Sequence, residues 1–399
     1  FADNKLVGPQ IETVSLVPFL DRSLSEKVDV LRKTVLNAKP HWVVMDGLRS
    51  FEAFLNDVQG TYQFLYSLTS WFALENITLV LTKDTDPALV TDQPEFALMD
   101  TVVALARERV GRHALRRLSV LKARGQQPLT GQHAFSIDSN GITVYLWPEI
   151  TPRTEERAAS DMRMPFGVPG LDPMLGGGVL AGTQTLLAGG PGGGKTALAL
   201  NFLANGAAAG QPGLWLGFRE DRAQLWAGAQ AWGHDLSAAE QRGQLEFIIH
   251  APLGLDADPL ASMIEARVEA LGAQRVVLDG AGELARALPS DHAAREFLVW
   301  LVSWLQARGV TGLVTQSSGT MAEGLDLDGM LLADLAGNVI LLRRVEEAGR
   351  MVRTIAVLKM QGSAHDMAVR ELALDPYGIR VGEPLGAGER RPEPARPPA

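Results

Sequence analysis

The chain has no cysteine in its 399 residues, which excludes disulfides, zinc–thiolate sites and catalysis by a thiol. No apolar run approaches the roughly 20 residues of a membrane-spanning helix. Positive charge is scarce as well: 37 Lys and Arg stand against 46 Asp and Glu, for a net charge of −9. A protein whose main task is to coat nucleic acid needs the opposite balance. The seven histidines have no metal-ligand spacing, so His234, His250, His292 and His365 are expected to be structural. These absences lead us to expect a cytoplasmic protein with no membrane contact and no nucleic-acid partner.

What is present is an apolar content of 46%, ample for two domain cores. The chain is organised around Gly189-Gly190-Pro191-Gly192-Gly193-Gly194-Lys195-Thr196, which matches the phosphate-loop pattern G-x-x-x-x-G-K-[ST]. An apolar stretch from Thr183 to Ala188 precedes it and reads as a buried strand. Good helix formers from Ala197 to Ala204 follow it. Strand, glycine loop and helix in that order are the context in which the pattern is a site. Glycines let the backbone wrap a phosphate with its N–H groups inward, and the helix adds the positive end of its dipole. The expected nucleotide-binding set is therefore Gly189, Gly190, Pro191, Gly192, Gly193, Gly194, Lys195, Thr196 and Ala197. Lys195 would reach the β- and γ-phosphates, and the Thr196 hydroxyl would hold Mg²⁺.

Taken in order, the chain predicts a helix over 25–36, a strand over 41–47 ending in Asp46, a helix over 61–74 and a strand over 76–82. Two more strands are expected over 99–107 and 115–122, then a hairpin around Asn140-Gly141. Residues 148–165 are hydrophilic and read as a linker. After the phosphate loop come strands over 214–218, 245–249 and 275–280, with helices over 222–232 and 259–271 between them. The last residues, 385–399, rich in Pro, Arg and Glu, are expected to be disordered.

The chain also repeats itself. Val43-Val44-Met45-Asp46-Gly47 returns as Val276-Val277-Leu278-Asp279-Gly280, and Ile77–Thr82 returns at the same offset as Val310–Thr315. Leu121-Lys122-Ala123-Arg124-Gly125 returns as Leu358-Lys359-Met360-Gln361-Gly362 at a slightly larger offset, as a short insertion in the second copy would produce. Residues 166–384 thus read as a complete second copy and 1–147 as the latter part of a first. The offset carries Lys195 back to a position before Phe1, so the phosphate loop of the first copy is expected to be missing and the chain to be the C-terminal part of a tandem protein.

Asp279 ends an apolar strand, where it would hold Mg²⁺ together with Thr196; carboxyl ends of strands line the ligand crevice of a doubly wound sheet. Asp46 is its counterpart. Glu220, in Phe218-Arg219-Glu220-Asp221, is the best candidate to orient or deprotonate an attacking water.

Gly167–Gly178, the loop Gly189–Thr196, Phe218–Leu225, Arg275–Asp279 and Leu358–Asp366 together resemble a KaiC-type domain of the circadian-clock ATPases, within the RecA-like superfamily. Residues 25–146 resemble the latter part of another such domain. The resemblance implies an α/β fold with a mostly parallel twisted sheet flanked by helices, in two tandem copies. It also implies a P-loop NTPase that assembles as a hexameric ring, with ATP and Mg²⁺ at subunit interfaces and a regulatory protein partner. The family's Lys-x-Arg-Gly segment acts on a neighbour's γ-phosphate, which gives catalytic roles to Lys122 and Arg124 and to Lys359; Gln361 stands where the second arginine belongs. Arg219 stands where the family has the first of two glutamates, leaving Glu220 as the base. No Ser or Thr occurs between Gly324 and Gly337, and Ala333 and Asp334 occupy the family's phosphorylation pair, so clock-type autophosphorylation is not expected there. The reading is an ATP-binding protein with slow hydrolysis that drives signalling. The alternative is a scaffold that binds nucleotide with little or no turnover, and a DNA motor is a third.

Overall fold

A computed structural model describes residues 11–15, 23–52, 58–86, 93, 95–110, 112–148, 161–317, 332–347, 349–375 and 378–385. Most of the expected linker (149–160), the tail from 386 onward and the stretch 318–331 lie outside the described residues. The chain divides into two compact units, residues 1–109 with 114–145, and 110–113 with 146–399.

The first unit contains α1 (Leu24–Ala38), β1 (Trp42–Met45), α2 (Leu48–Glu52), α3 (Val58–Leu74), β2 (Thr78–Leu81), α4 (Glu95–Leu98), β3 (Thr101–Val110), β4 (His113–Ala123), β5 (His133–Asp138) and β6 (Gly141–Tyr145). Helix α1 starts where it does because Ser23 and Glu26 form a reciprocal capping box. Strands β1 and β2 pair in parallel, and β3 to β6 form a separate sheet. Val28 and Val35 of α1 and Phe64, Leu65, Leu68 and Phe72 of α3 pack with Met45 into its core. Strand β3 runs to Val110 and β4 starts at His113, beyond the bounds that the sequence pattern suggests.

The second unit begins with β7 (Arg163–Met164), α5 (Leu171–Met174), β8 (Val179–Leu180), β9 (Gln184–Gly189) and α6 (Lys195–Ala208). It continues with β10 (Gly213–Gly217), α7 (Arg222–Gln230), α8 (Leu236–Gln241), β11 (Leu245–Ile249), α9 (Ala257–Leu271), β12 (Arg275–Asp279), α10 (Ala281–Ala287), α11 (Asp291–Arg308) and β13 (Thr311–Ser317). It ends with β14 (Asn338–Glu347), β15 (Arg350–Met360), β16 (Arg370–Asp375) and β17 (Gly378–Pro384). Nine of these strands form one sheet in the order β11-β10-β12-β13-β9-β14-β15-β16-β17. The six from β11 to β14 are parallel, and the last three add on antiparallel. The expected mostly parallel α/β sheet is therefore what the second copy forms. Arg163 and Met164, inside the stretch that reads as linker, pair with β8 as a short strand.

Alternation along β9 explains the layers. Leu187 faces the core shared with α6, while Leu186 and Ala188 face the core shared with α9 and α11. Trp300 and Trp304 are buried in the latter. The Arg275 side chain is buried too, wholly inaccessible at the start of β12. Its guanidinium donates to Pro165 O (2.8 Å), Phe202 O (2.6 Å) and Gln211 Oε1 (2.7 and 3.0 Å) and lies over the Phe202 ring. It fastens the entry segment of the unit to α6.

The repeat holds in three dimensions. Helix α1 returns as α9 with both ends displaced by one and the same offset, and β4 and β5 return as β15 and β16 with all four ends displaced by the larger one. The copies differ in their sheets. In the second, β9 lies between β13 and β14; in the first, the matching β2 and β3 belong to different sheets. A cleft of about 1060 Å³ runs between them, lined by Thr78–Leu81 and Thr101–Leu105. On β1, Trp42 is 66% exposed, whereas Arg275 at the matching position is buried.

Candidate functional site

The loop between β9 and α6 lies at the carboxyl end of the central parallel strand, flanked by β13 and β14. Gly194 caps α6 with φ +105°, a conformation that side chains rarely adopt, and a β-carbon there would press on Leu372 and Leu374. Within the loop, the Gly193 N–H donates to Gly190 O at 3.3 Å. The Lys195 ammonium donates to Gly189 O at 2.7 Å and Gly190 O at 3.0 Å. Burial pulls the Lys195 pKa below its ordinary value, against the opposing charge of Asp279.

The next residue points at β12. Thr196 Oγ1 donates to Asp279 Oδ2 at 3.2 Å, and Thr315 Oγ1, from β13, donates to Asp279 Oδ1 at 2.5 Å. The same Thr315 oxygen accepts the Gly280 N–H at 2.9 Å. Burial pushes the Asp279 carboxyl up, and the two threonine hydrogen bonds and Lys195 work against that shift. Glu220, half-buried after β10, is also pushed up, first by burial and then by the Asp279 charge; Arg219 opposes both. Asp221 has another task, capping α7 by accepting the Gln224 N–H at 2.8 Å. Arg219 leans towards Glu283 on α10, 3.7 Å away.

Lys195, Thr196, Asp279 and Glu220 are thus gathered at one end of the sheet. The other sequence candidates lie elsewhere. Lys359 on β15 donates to Ala333 O and Asp334 O (3.4 and 3.5 Å). In the first unit Lys122 does the same to Phe96 O and Ala97 O, the matching positions of the repeat. Arg124 pairs with Asp100 at 2.8 Å, and the Gln361 N–H donates to Asn338 Oδ1. Among the described residues, no hydrogen bond or ion pair joins Lys359 to the loop. Ala197 is buried at the start of α6.

Sequence reasoning missed three participants. Thr315 carried a signal, since it matches Thr82 in the repeat. Arg344 and Arg353, which both donate to Gly192 O at 3.0 Å, match Arg107 and Arg116 in the repeat, but they lie on strands far along the chain and nothing local ties them to the loop.

The donor set suits a magnesium–nucleotide complex. A hydroxyl and a carboxylate already in contact supply two hard oxygens, and glycine backbone and a lysine supply the phosphate donors. Among the described residues, no group of three or more His, Asp or Glu could hold a metal by itself. Two protein oxygens would leave the other positions of a magnesium ion to water and phosphate.

A profile of the family described as the KaiC ATPase matches residues 17–149 and 164–386. The circadian clock oscillator protein KaiC of Parathermosynechococcus lividus is 30% identical over 330 residues, 82% of this chain and 60% of that protein. The KaiC of Synechococcus elongatus is 31% identical over 74% of this chain and 56% of its own length. The circadian clock protein KaiC3 of a Synechocystis strain is 27% identical over 89% and 70%. The chain spans about 60% of the first of these relatives. With a phosphate loop on the central strand of a RecA-like sheet and matches across both copies, the chain belongs to the KaiC ATPase family.

Proposed function

We propose that the second unit binds Mg-ATP and hydrolyses it slowly, and that the bound nucleotide controls signalling to a protein partner from a hexameric ring. The observation that carries this reading is the Thr196–Asp279 contact at 3.2 Å beside Lys195. Thr196 and Asp279 would hold the metal, which when bound neutralises developing phosphate charge. Lys195 would exchange its two carbonyl partners for phosphate oxygens. Glu220, whose pKa burial raises and which is thereby made more basic, would orient the attacking water and accept its proton. Lys359 and, in the first unit, Lys122 and Arg124 would act on a neighbour's nucleotide, as the family resemblance implies; Lys359 would first have to leave Ala333 O and Asp334 O.

A second reading, a nucleotide-gated scaffold with little turnover, is favoured by Arg219 and Gln361. Arg219 puts a cation beside the only glutamate at the site's base position, and Gln361 carries no charge for a neighbour. Steady-state ATP hydrolysis by the chain and by its Glu220→Gln variant separates the two. Turnover that depends on Glu220 supports an ATPase; binding without Glu220-dependent turnover supports the scaffold.

A further inference from the structure

Arg344 and Arg353 stand directly opposite each other on β14 and β15. Two like charges in that relation repel, and a shared acceptor offsets the repulsion. It has one outside the hairpin. Arg344 Nη2 and Arg353 Nε both donate to Gly192 O, at 3.0 Å each, at the tip of the phosphate loop. A β-carbon at Gly192 would overlap the Arg344 guanidinium, and Gly192 has φ +68°. The contact of loop with hairpin is therefore close, and the positive φ favours glycine there. The first unit carries arginines at both matching positions of the repeat, Arg107 and Arg116.

The chemistry of the contact bears on the loop's use. Gly192 O belongs to the same peptide unit as the Gly193 N–H, which donates to Gly190 O at 3.3 Å and so closes the loop's own turn. Two cationic donors on the oxygen polarise that peptide and make its N–H a stronger donor. They also fix the orientation of that peptide, and with it the turn that the Gly193 N–H closes on Gly190 O. Each guanidinium has five N–H donors and spends one on this oxygen.

We propose that Arg344, with Arg353 beside it, is a positioning residue that braces the phosphate loop from within the same chain and strengthens its grip on the phosphates of a nucleoside di- or triphosphate. This rests on the reading of the loop as a nucleotide site. Because the loop backbone cradles the α- and β-phosphates, ADP and ATP share the benefit equally. The brace also supplies cationic charge near the phosphates of a copy in which Gln361 replaces a cation expected from a neighbour.

Two measurements on the full chain test this. The first needs no nucleotide: hydrogen exchange of the amides in the 189–196 loop, for wild type, Arg344→Ala and Arg344→Lys. Exchange is expected to quicken about tenfold in Arg344→Ala and much less in Arg344→Lys, which keeps one charged donor. Unchanged exchange in Arg344→Ala overturns the brace. The second is the affinity for Mg-ADP and Mg-ATP, with Lys195→Ala as control. Arg344→Ala is expected to weaken both nucleotides by about the same factor, roughly tenfold. Loss confined to ATP means that Arg344 acts on the terminal phosphate and not on the loop, which overturns the proposal, as does no loss. If wild type binds neither nucleotide, the functional reading fails, and the exchange measurement still decides whether the brace exists.

Discussion

Thr315 Oγ1 donates to Asp279 Oδ1 at 2.5 Å, and in the first copy the matching Thr82 Oγ1 donates to Asp46 Oδ1 at the same distance. Each threonine oxygen also accepts the N–H of the glycine after its aspartate, at 2.9 Å. The duplication thus reaches individual hydrogen bonds. The hydroxyl turns the aspartate so that its second oxygen faces Thr196. Thr315→Val keeps the shape and removes the hydroxyl, leaving the Gly280 N–H and one carboxylate oxygen short of a partner. It is expected to lower stability by about 1–3 kcal/mol and to weaken the magnesium dependence of ATP binding. Chemical denaturation and titration with and without Mg²⁺ check both; an unchanged unfolding midpoint contradicts the role.

Glu220 and Arg219 give a prediction about rate. Glu220→Gln removes the proposed base while leaving the loop intact, so hydrolysis is expected to fall about 100-fold or more with ATP affinity retained. Arg219→Glu removes the cation near Glu220 and restores the glutamate pair that the family resemblance leads one to expect, and should raise turnover. Steady-state phosphate release reads both, and a rate lowered by Arg219→Glu contradicts the assignment.

Arg275 gives one about stability. Arg275→Ala removes the guanidinium donor from Pro165 O, Phe202 O and Gln211 Oε1 and leaves a void in its place. A cost of about 3–5 kcal/mol is expected, and Arg275→Lys should recover little, since one ammonium cannot span three acceptors. Burial already draws the Arg275 pKa down to about 10. Equal unfolding midpoints for wild type and Arg275→Ala would show that the staple does not matter.

His234 gives a pH dependence. Its Nε2–H donates to Asn201 Oδ1 at 2.7 Å, and burial lowers its pKa below the ordinary 6.5. The unfolded chain therefore binds the proton more readily than the folded one. That contribution to stability is complete above about pH 6.5 and is lost as pH falls towards the folded pKa. Melting temperatures across pH 5–8 should decline less at the acid end in His234→Gln than in wild type. Parallel curves contradict this.

Much of the site was legible in the sequence, because local order fixes it. The loop pattern, the strand before it and the helix after it are contiguous, and Asp279 announces itself by ending an apolar strand. The repeat gave the order of the elements in both copies. What stayed hidden depends on pairing between distant strands. Arg344 and Arg353 reach Gly192 only because β14 lies beside β9 and β15 beside β14. Arg275 opens a strand whose other residues are apolar, and nothing local says that its charge is buried. Arg163 and Met164 lie in a stretch of linker-like composition, yet they pair with β8 through contacts that sequence composition does not encode.

The most direct test of the account is the affinity of the full chain for ATP with and without Mg²⁺, for wild type and Lys195→Ala. Lys195 holds two loop carbonyls next to the Thr196–Asp279 pair, so wild type should bind ATP more tightly with the metal, and Lys195→Ala should lose binding to the second unit. Binding that is equal in both proteins, or indifferent to magnesium, would contradict it.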